Sequence, residues 1–247
     1  MNAASPATTP RRITPLLTPA IALTAAGAIV GALWMQADPS GPGRWLHWFC
    51  KPLATVLVIL LAARVTTPLS PRYRRRILAG LGFALCGDVL LMLPADLFVP
   101  GLAMFLLGHL CFIAAWLADS RFGVRPLGLV ACWLAAIALL TALWSGLAPA
   151  LRIPVVTYAL TLATMTGQAI GRAWHHAAAR DALAVPARRA ALGAVLFMAS
   201  DSLIAIDRFH AALPFESLWI LGSYYPAIWL IARSVSYQGE AVETIRT

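Results

Sequence analysis

Apolar residues along this chain gather into eight long runs, at about 16–36, 45–64, 77–93, 97–118, 127–148, 153–174, 187–207 and 215–234. A bilayer-spanning helix takes about 20 predominantly apolar residues, which is close to the length of each run. Turn-forming clusters separate them: Asp38-Pro39-Ser40-Gly41-Pro42-Gly43, Pro68 to Pro71, Pro94-Ala95-Asp96, Pro149 and Pro214. The pattern predicts an all-α, polytopic integral membrane protein with eight transmembrane helices. It divides the chain into a flexible cytoplasmic tail (1–15), one membrane domain (16–234) and a short cytoplasmic tail (235–247).

Composition agrees: 60% of residues are hydrophobic and 12% charged, with a mean hydropathy of +0.78. Soluble domains average about 45–50% apolar and 25% charged. The net charge of +9 does not indicate a nucleic-acid partner, because the arginines stand between apolar runs and not on one folded face. Their distribution sets orientation. Fifteen arginines fall on one side: Arg11, Arg12, Arg64, Arg72, Arg74, Arg75, Arg76, Arg121, Arg125, Arg172, Arg180, Arg188, Arg189, Arg233 and Arg246. The other side holds only Arg44, Arg152 and Arg208, so the positive-inside rule places both termini in the cytoplasm. Losing one helix would invert every later loop, so an odd number is disfavoured. Arg11-Arg12 before an apolar run imitates a signal peptide, but the run is longer than the usual ~7–15 residues and no cleavage site follows. A single lysine amid abundant Ala and Arg suggests a GC-rich bacterial genome, hence the inner membrane. Cys50, Cys86, Cys111 and Cys132 lack metal or redox spacing and read as small buried apolar side chains.

The polar residues inside the apolar runs carry the chemistry. The third run reads RRILAGLGFALCGDVLL from Arg75 and the seventh RRAALGAVLFMASDSLI from Arg188. Arg-Arg, Gly80/Gly193, Gly87/Ser200, Asp88/Asp201 and Leu90/Leu203 coincide, which suggests a parallel repeat of four helices plus four. An ionised carboxylate deep in a bilayer costs at least about 2.5–3.5 kcal/mol, so two of them need a reason. At 1.5 Å per residue both aspartates lie ~18–20 Å beyond their arginine pairs, in the outer half of the membrane. Gly80, Ala84 and Asp88 share one face, as do Gly193, Phe197 and Asp201, and the two faces are expected to meet. On the same depth scale, Lys51, Tyr224, Tyr225 and the helix-six face of Tyr158, Thr161, Met165 and Gln168 are expected to converge with both aspartates on a polar cavity open to the outer leaflet. Ser200 flanks Asp201, and His109 lies deeper. Plainer readings stand beside this one: a Lys–Asp pair that only satisfies buried charge, a snorkelling Lys51, packing tyrosines, and a hydrogen-bonded His109 between helices. His175 and His176 are expected solvated in a basic loop, and His47 and His210 at water or headgroups. No metal centre is expected, since three or four ligands do not converge.

At these residues the chain resembles the lysoplasmalogenase family, the YhhN-like membrane proteins. The carriers are Lys51-Pro52, Gly87-Asp88 with Leu91-Met92, Gly108-His109, Gly193-Ala194 through Phe197 to Ser200-Asp201, and Tyr224-Tyr225 before Trp229-Leu230-Ile231. The likeness covers nearly all of the chain after the tail, and its two aspartate motifs are the most specific part. Ile228 departs from it, standing where the family pattern suggests glutamine, which puts headgroup preference or activity in question. The resemblance implies a hydrolase, without redox cofactor, that cleaves the vinyl ether bond of a lysophospholipid in the membrane to give a fatty aldehyde and a glycerophospho-alcohol. Such cleavage needs a proton donor for the outer vinyl carbon and an anion that stabilises the resulting oxocarbenium and activates water. Two aspartates in one weakly polar site divide into acid and base. Asp201 is the expected acid and Asp88 the base, with the exchange left open; Lys51 is assigned either to Asp88 or to the substrate phosphate, and His109 to proton relay. The alternative is a proton-coupled transporter using the same carboxylates, which should show helices broken at its site; a purely structural membrane protein comes third. Oligomeric state is not legible.

Overall fold

A computed structural model describes residues 14–237, and these form eight α-helices: α1 Thr14–Ala37, α2 Gly43–Ala63, α3 Pro71–Met92, α4 Phe98–Trp116, α5 Pro126–Leu143, α6 Pro149–Ala179, α7 Ala184–Phe209 and α8 Glu216–Arg233. Most of the two expected tails, with Arg11, Arg12 and Arg246, lies outside the described residues. Six helices, all but α3 and α8, are long and apolar enough to cross a membrane by length and composition. In α3, four arginines and Asp88 dilute the apolar text; α8 is short and carries Glu216, Arg233 and two tyrosines.

Consecutive helices pack as hairpins: α1 on α2, α3 on α4, α5 on α6 and α7 on α8. The hairpins join through α2 against α3 and α8, and α6 against α4 and α7. The outermost helices behave differently. α1 packs on both α2 and α8, whereas α5 packs on α6 and α7 and leaves α4 uncovered along its seam.

Local chemistry fixes the ends. Ser70 caps α3 by accepting the Tyr73 amide at 3.1 Å, with Pro71 at the first helical position. The helix therefore starts six residues before the expected 77, because its first turns lie among arginines that a hydropathy reading excludes. Arg74 and Arg76 bind the backbone oxygens of Val65 and Ala114 at 3.1 and 2.6 Å. α5 stops at Leu143, before the expected 148, in a 3-10 turn over Trp144–Gly146. Gly146 is needed there: a Cβ would fall 1.8 Å from the Phe209 oxygen. Residues after α8 dock instead of leaving as a free tail, with the Leu69 amide donating to the Val235 oxygen at 3.0 Å and the Tyr237 amide to Thr67 at 3.0 Å.

The expected basic loop after residue 174 is helix as far as Ala179, since Ala-rich sequence propagates a helix until Arg180 adopts the left-handed conformation at φ 50°. His176 is consequently buried, with Nδ1 2.8 Å from Asp181 and Nε2 3.6 Å from Asp119, while His175 is half-buried; neither is the freely solvated loop residue expected. Burial pushes the Asp181 carboxyl up, but hydrogen bonds from His176 and the Leu183 amide outweigh it and hold the group below its ordinary value. Arg172, counted above as a loop cation, is fully buried in α6 and forks onto Asp119 with two bonds of 2.6 Å. His47 is also buried, its Nδ1 2.8 Å from the Ala28 oxygen, because α1 covers that face of α2; His210 is exposed as expected. Cys50 and Cys132 are buried as expected, Cys111 is half-buried, and Cys86 is exposed because it faces away from the packed side of α3.

Candidate active site

Each aspartate is placed by the helix that follows its own. A glycine lets the neighbour approach: a Cβ on Gly80 would sit 2.3 Å from the Phe112 ring of α4, and one on Gly193 would sit 2.7 Å from the Ala227 oxygen of α8. The two glycine faces therefore do not meet each other, as the sequence suggested. Each is filled by its hairpin partner, because neighbours in the chain close the tightest seams.

Asp88 is 3% exposed and ends in a closed polar cluster. Thr55 of α2 donates to its Oδ2 at 2.9 Å, Tyr224 of α8 donates to the same oxygen at 2.7 Å, and the Lys51 ammonium lies 3.8 Å from Oδ1. Tyr225 reaches the Lys51 backbone oxygen at 3.5 Å. The ammonium thus neutralises Asp88, and its side chain is only 12% exposed. Thr55 was missed in the sequence, although it lies one turn below Lys51 on the same face of α2.

Asp201 has different company. Among the described residues its one side-chain donor is the Tyr158 hydroxyl of α6. Beside the pair opens a cavity with about 770 Å³ of empty space, its mouth included, between α4, α5, α6 and α7. Apart from Asp201, Tyr158 and Ser202 its walls are apolar, with Phe98, Leu102, Leu143 and Phe209 among them. A lining that is mostly apolar with a few convergent polar groups is the usual character of small-molecule sites.

A run of aromatic contacts links the two carboxylate clusters. Tyr224, hydrogen-bonded to Asp88, packs against Phe197 at 5.5 Å and Phe105 at 6.2 Å; His109 packs against Phe197 at 5.0 Å and Tyr158 at 5.1 Å. Of the groups expected to share one polar cavity, Asp201 and Tyr158 line the cavity, whereas Lys51, Asp88, Tyr224 and Tyr225 form a separate cluster outside its walls. Depth specifies height along a helix but not azimuth, so this division was not legible in the sequence. His109 is fully buried between these groups, and neither ring nitrogen has a hydrogen-bond partner among the described residues. Ser200 turns to α8 and donates to the Ile220 oxygen at 3.0 Å, serving the α7–α8 seam. Of the expected helix-six face, Tyr158 reaches the site and Met165 is buried in the core. Thr161 bonds its own helix at Thr157, and Gln168 holds the α4–α5 loop through Ser120, Arg121 and Gly123. Ile228 is fully buried in α8. Among the described residues no three His, Cys, Asp or Glu side chains group as a metal site would require.

Known proteins can be set beside this geometry. No solved structure matches the chain. The bovine (Bos taurus) lysoplasmalogenase TMEM86A is 32% identical over 260 residues, covering 98% of this chain and 97% of its own. A lysoplasmalogenase of Mycobacterium bovis is 39% identical over 180 residues, covering 69% of this chain and 64% of its own. An uncharacterised membrane protein YhhN of Escherichia coli is 29% identical over 210 residues, or 84% and 96%. The sequence model of the YhhN family matches residues 46–235, a span that holds Lys51, both aspartates and all the tyrosines of the site, and the chain belongs to that family.

Proposed function

We propose that this protein is an intramembrane hydrolase that cleaves the vinyl ether bond of lysoplasmalogens, with Asp201 as proton donor. The observation that carries the reading is Asp201, paired with Tyr158, on the wall of an otherwise apolar cavity. An enol ether reacts by taking a proton on its outer vinyl carbon, a step that needs an acid in weakly polar surroundings. Asp201, with one hydroxyl donor and apolar neighbours, keeps its proton more readily than Asp88. Asp88, with two hydroxyls and an ammonium around it, is the anion.

The proton passes from Asp201 to the vinyl carbon, and positive charge spreads over the ether carbon and oxygen. Ionised Asp201 and the negative field of Asp88 behind Tyr224 stabilise that cation. Water adds to the ether carbon and returns a proton to a carboxylate. The hemiacetal then breaks its carbon–oxygen bond to leave a fatty aldehyde and the glycerophospho-alcohol. His109, against Tyr158 and with both nitrogens free of protein partners, is placed to relay protons.

Eight membrane passes, with both termini in the cytoplasm of a bacterial inner membrane, complete the proposal. Docking of residues 235–237 on the α2–α3 loop supports a common side for those segments. A four-plus-four repeat is supported by matched seams, α2 on α8 and α6 on α4, and by matched donors, Thr55 to Asp88 and Tyr158 to Asp201. The named lysoplasmalogenase relatives support the substrate class. The transporter alternative loses ground, because α2 and α8 run unbroken through Pro52 and Pro226. The test is release of aldehyde from lysoplasmalogen by the purified protein, beside an active relative. No release where the relative is active would overturn the proposal.

A further inference from the structure

The end of the molecule read as outer is poor in positive charge, yet two of its three arginines lie beside wall residues of the Asp201 cavity. Arg152 lies in the first turn of α6, one turn before the wall residue Val155. Its guanidinium stacks 4.8 Å over Trp144, which directly follows the wall residue Leu143. Its Nε is buried without a hydrogen-bond partner, and no carboxylate among the described residues forms an ion pair with it. Arg208, in the last turn of α7, lies 4.2 Å over the wall residue Phe98 and is held by both oxygens of Asp96, at 3.0 and 3.1 Å.

The two arginines sit at matching heights above the reacting groups. Arg152 is six residues before Tyr158 on α6, about 9 Å outward, and Arg208 is seven residues after Asp201 on α7, about 10 Å outward. In a lysoplasmalogen about seven bonds separate the phosphorus from the outer vinyl carbon. An extended chain advances roughly 1.2 Å per bond, so the two ends lie about 8 Å apart. Guanidinium groups favour phosphate because their planar N–H donors match its oxygens. Lys51, the other candidate for phosphate, instead pairs with Asp88 and does not line the cavity.

We propose that Arg152 and Arg208 form a phosphate-binding pair at the cavity mouth, which takes the phosphodiester of a lysophospholipid and so hangs its vinyl ether against Asp201 and Tyr158. This deepens the hydrolase reading and rests on it for the identity of the lipid. The hydrocarbon tail continues past Asp201 along Met198 and Leu162, where α5 leaves the α4 seam uncovered. A neutral alkenylglycerol would fit the same walls but gain nothing from the arginines.

Binding separates the two readings from each other. The ligands are a saturated 1-O-alkyl lysophosphoethanolamine, which cannot be hydrolysed at the ether, and the 1-O-alkylglycerol of the same chain, each titrated against the full-length protein in detergent. Arg152→Gln should weaken the phospholipid by roughly tenfold or more, the loss of one charge-assisted hydrogen bond, and leave the alkylglycerol unchanged. Arg208→Gln should show the same selectivity with a smaller loss. Arg44→Gln should change neither ligand, since Arg44 stacks on Trp45 and Trp48 of α2, away from the cavity. Unchanged alkylglycerol affinity also reports an intact fold; if Arg152→Gln does not fold, Arg152→Lys should give a partial loss confined to the phospholipid. Equal loss on both ligands, or none on either, overturns the proposal. Arginine-dependent phospholipid binding by a protein that releases no aldehyde would uphold the phosphate site and remove the hydrolase reading.

Discussion

Asp88 and Asp201 begin as near-copies in sequence and end in opposite environments. Both follow an arginine pair by the same spacing, sit below a glycine-opened seam and receive a hydroxyl from the preceding hairpin. Asp88 also gains Tyr224 and Lys51 in a closed polar cluster; Asp201 has, among the described residues, Tyr158 as its side-chain donor and borders an apolar cavity. The peripheral helices match the contrast. α1 packs against α8 and covers the Asp88 half, while α5 leaves α4 uncovered and the Asp201 half stays open. In the proposed mechanism one motif thus supplies an anion in one half and a proton donor in the other, according to where a peripheral helix packs.

The largest expected effect separates the two aspartates by kinetics. Asp201→Asn should lower the rate of aldehyde release by about 10²–10⁴-fold, the usual worth of a general acid. Asp88→Asn should also lose activity but raise no demand for a neutralising partner other than at Lys51. Removing only the lysine tests that directly. Lys51→Met leaves a buried carboxylate uncompensated and should cost about 3–5 kcal/mol of stability, which the double variant Lys51→Met with Asp88→Asn should recover without recovering activity. Thermal unfolding in detergent reads this; a fully stable Lys51→Met would mean that the pair is not a buried couple. Next come the tyrosines. Tyr158→Phe removes the side-chain donor to Asp201 and should reduce kcat by roughly 10–100-fold, whereas Tyr224→Phe leaves Asp88 with Thr55 and Lys51 and should cost only a few-fold. Equal losses would erase the distinction between the two sites.

The smallest effect lies outside both sites and serves as their control. Because the Asp181 carboxyl is held below its ordinary value, its contribution to stability is present above about pH 4 and is lost as pH falls through the lowered value. The group is 40% exposed and screened by water, so Asp181→Asn should cost no more than about 1 kcal/mol near neutral pH, and less in acid. Aldehyde release at neutral pH should not change.

Much of the architecture was legible in the chain. Apolar runs of membrane length gave eight helices at close to their observed places, since a helix that buries its backbone bonds in lipid must be long and continuous. Asp88, Asp201, Tyr158 and Tyr224 stood out as candidates because polar groups in such runs are costly, and the structure pairs Tyr158 with Asp201 and Tyr224 with Asp88. The boundaries failed where charge and helix separated. α3 starts among arginines, and α6 runs on through Arg172 and His176, which find Asp119 and Asp181 as partners from loops distant in sequence. Thr55, Phe105 and Phe197 were not singled out, since a threonine or phenylalanine in an apolar helix costs nothing that composition can register.

The sequence by itself determined which residues lie at which depth, because a helix converts residue number into height at a fixed rise. It could not determine which of them face each other around the bundle. That depends on helix rotation and on which non-adjacent helices pack, and these are set by side-chain volumes meeting across seams such as Gly80 with Phe112. Only the tertiary structure therefore decided that Tyr224 joins Asp88 and Tyr158 joins Asp201, that an apolar cavity opens beside Asp201, and that Arg152 and Arg208 stack on Trp144 and Phe98 next to its walls.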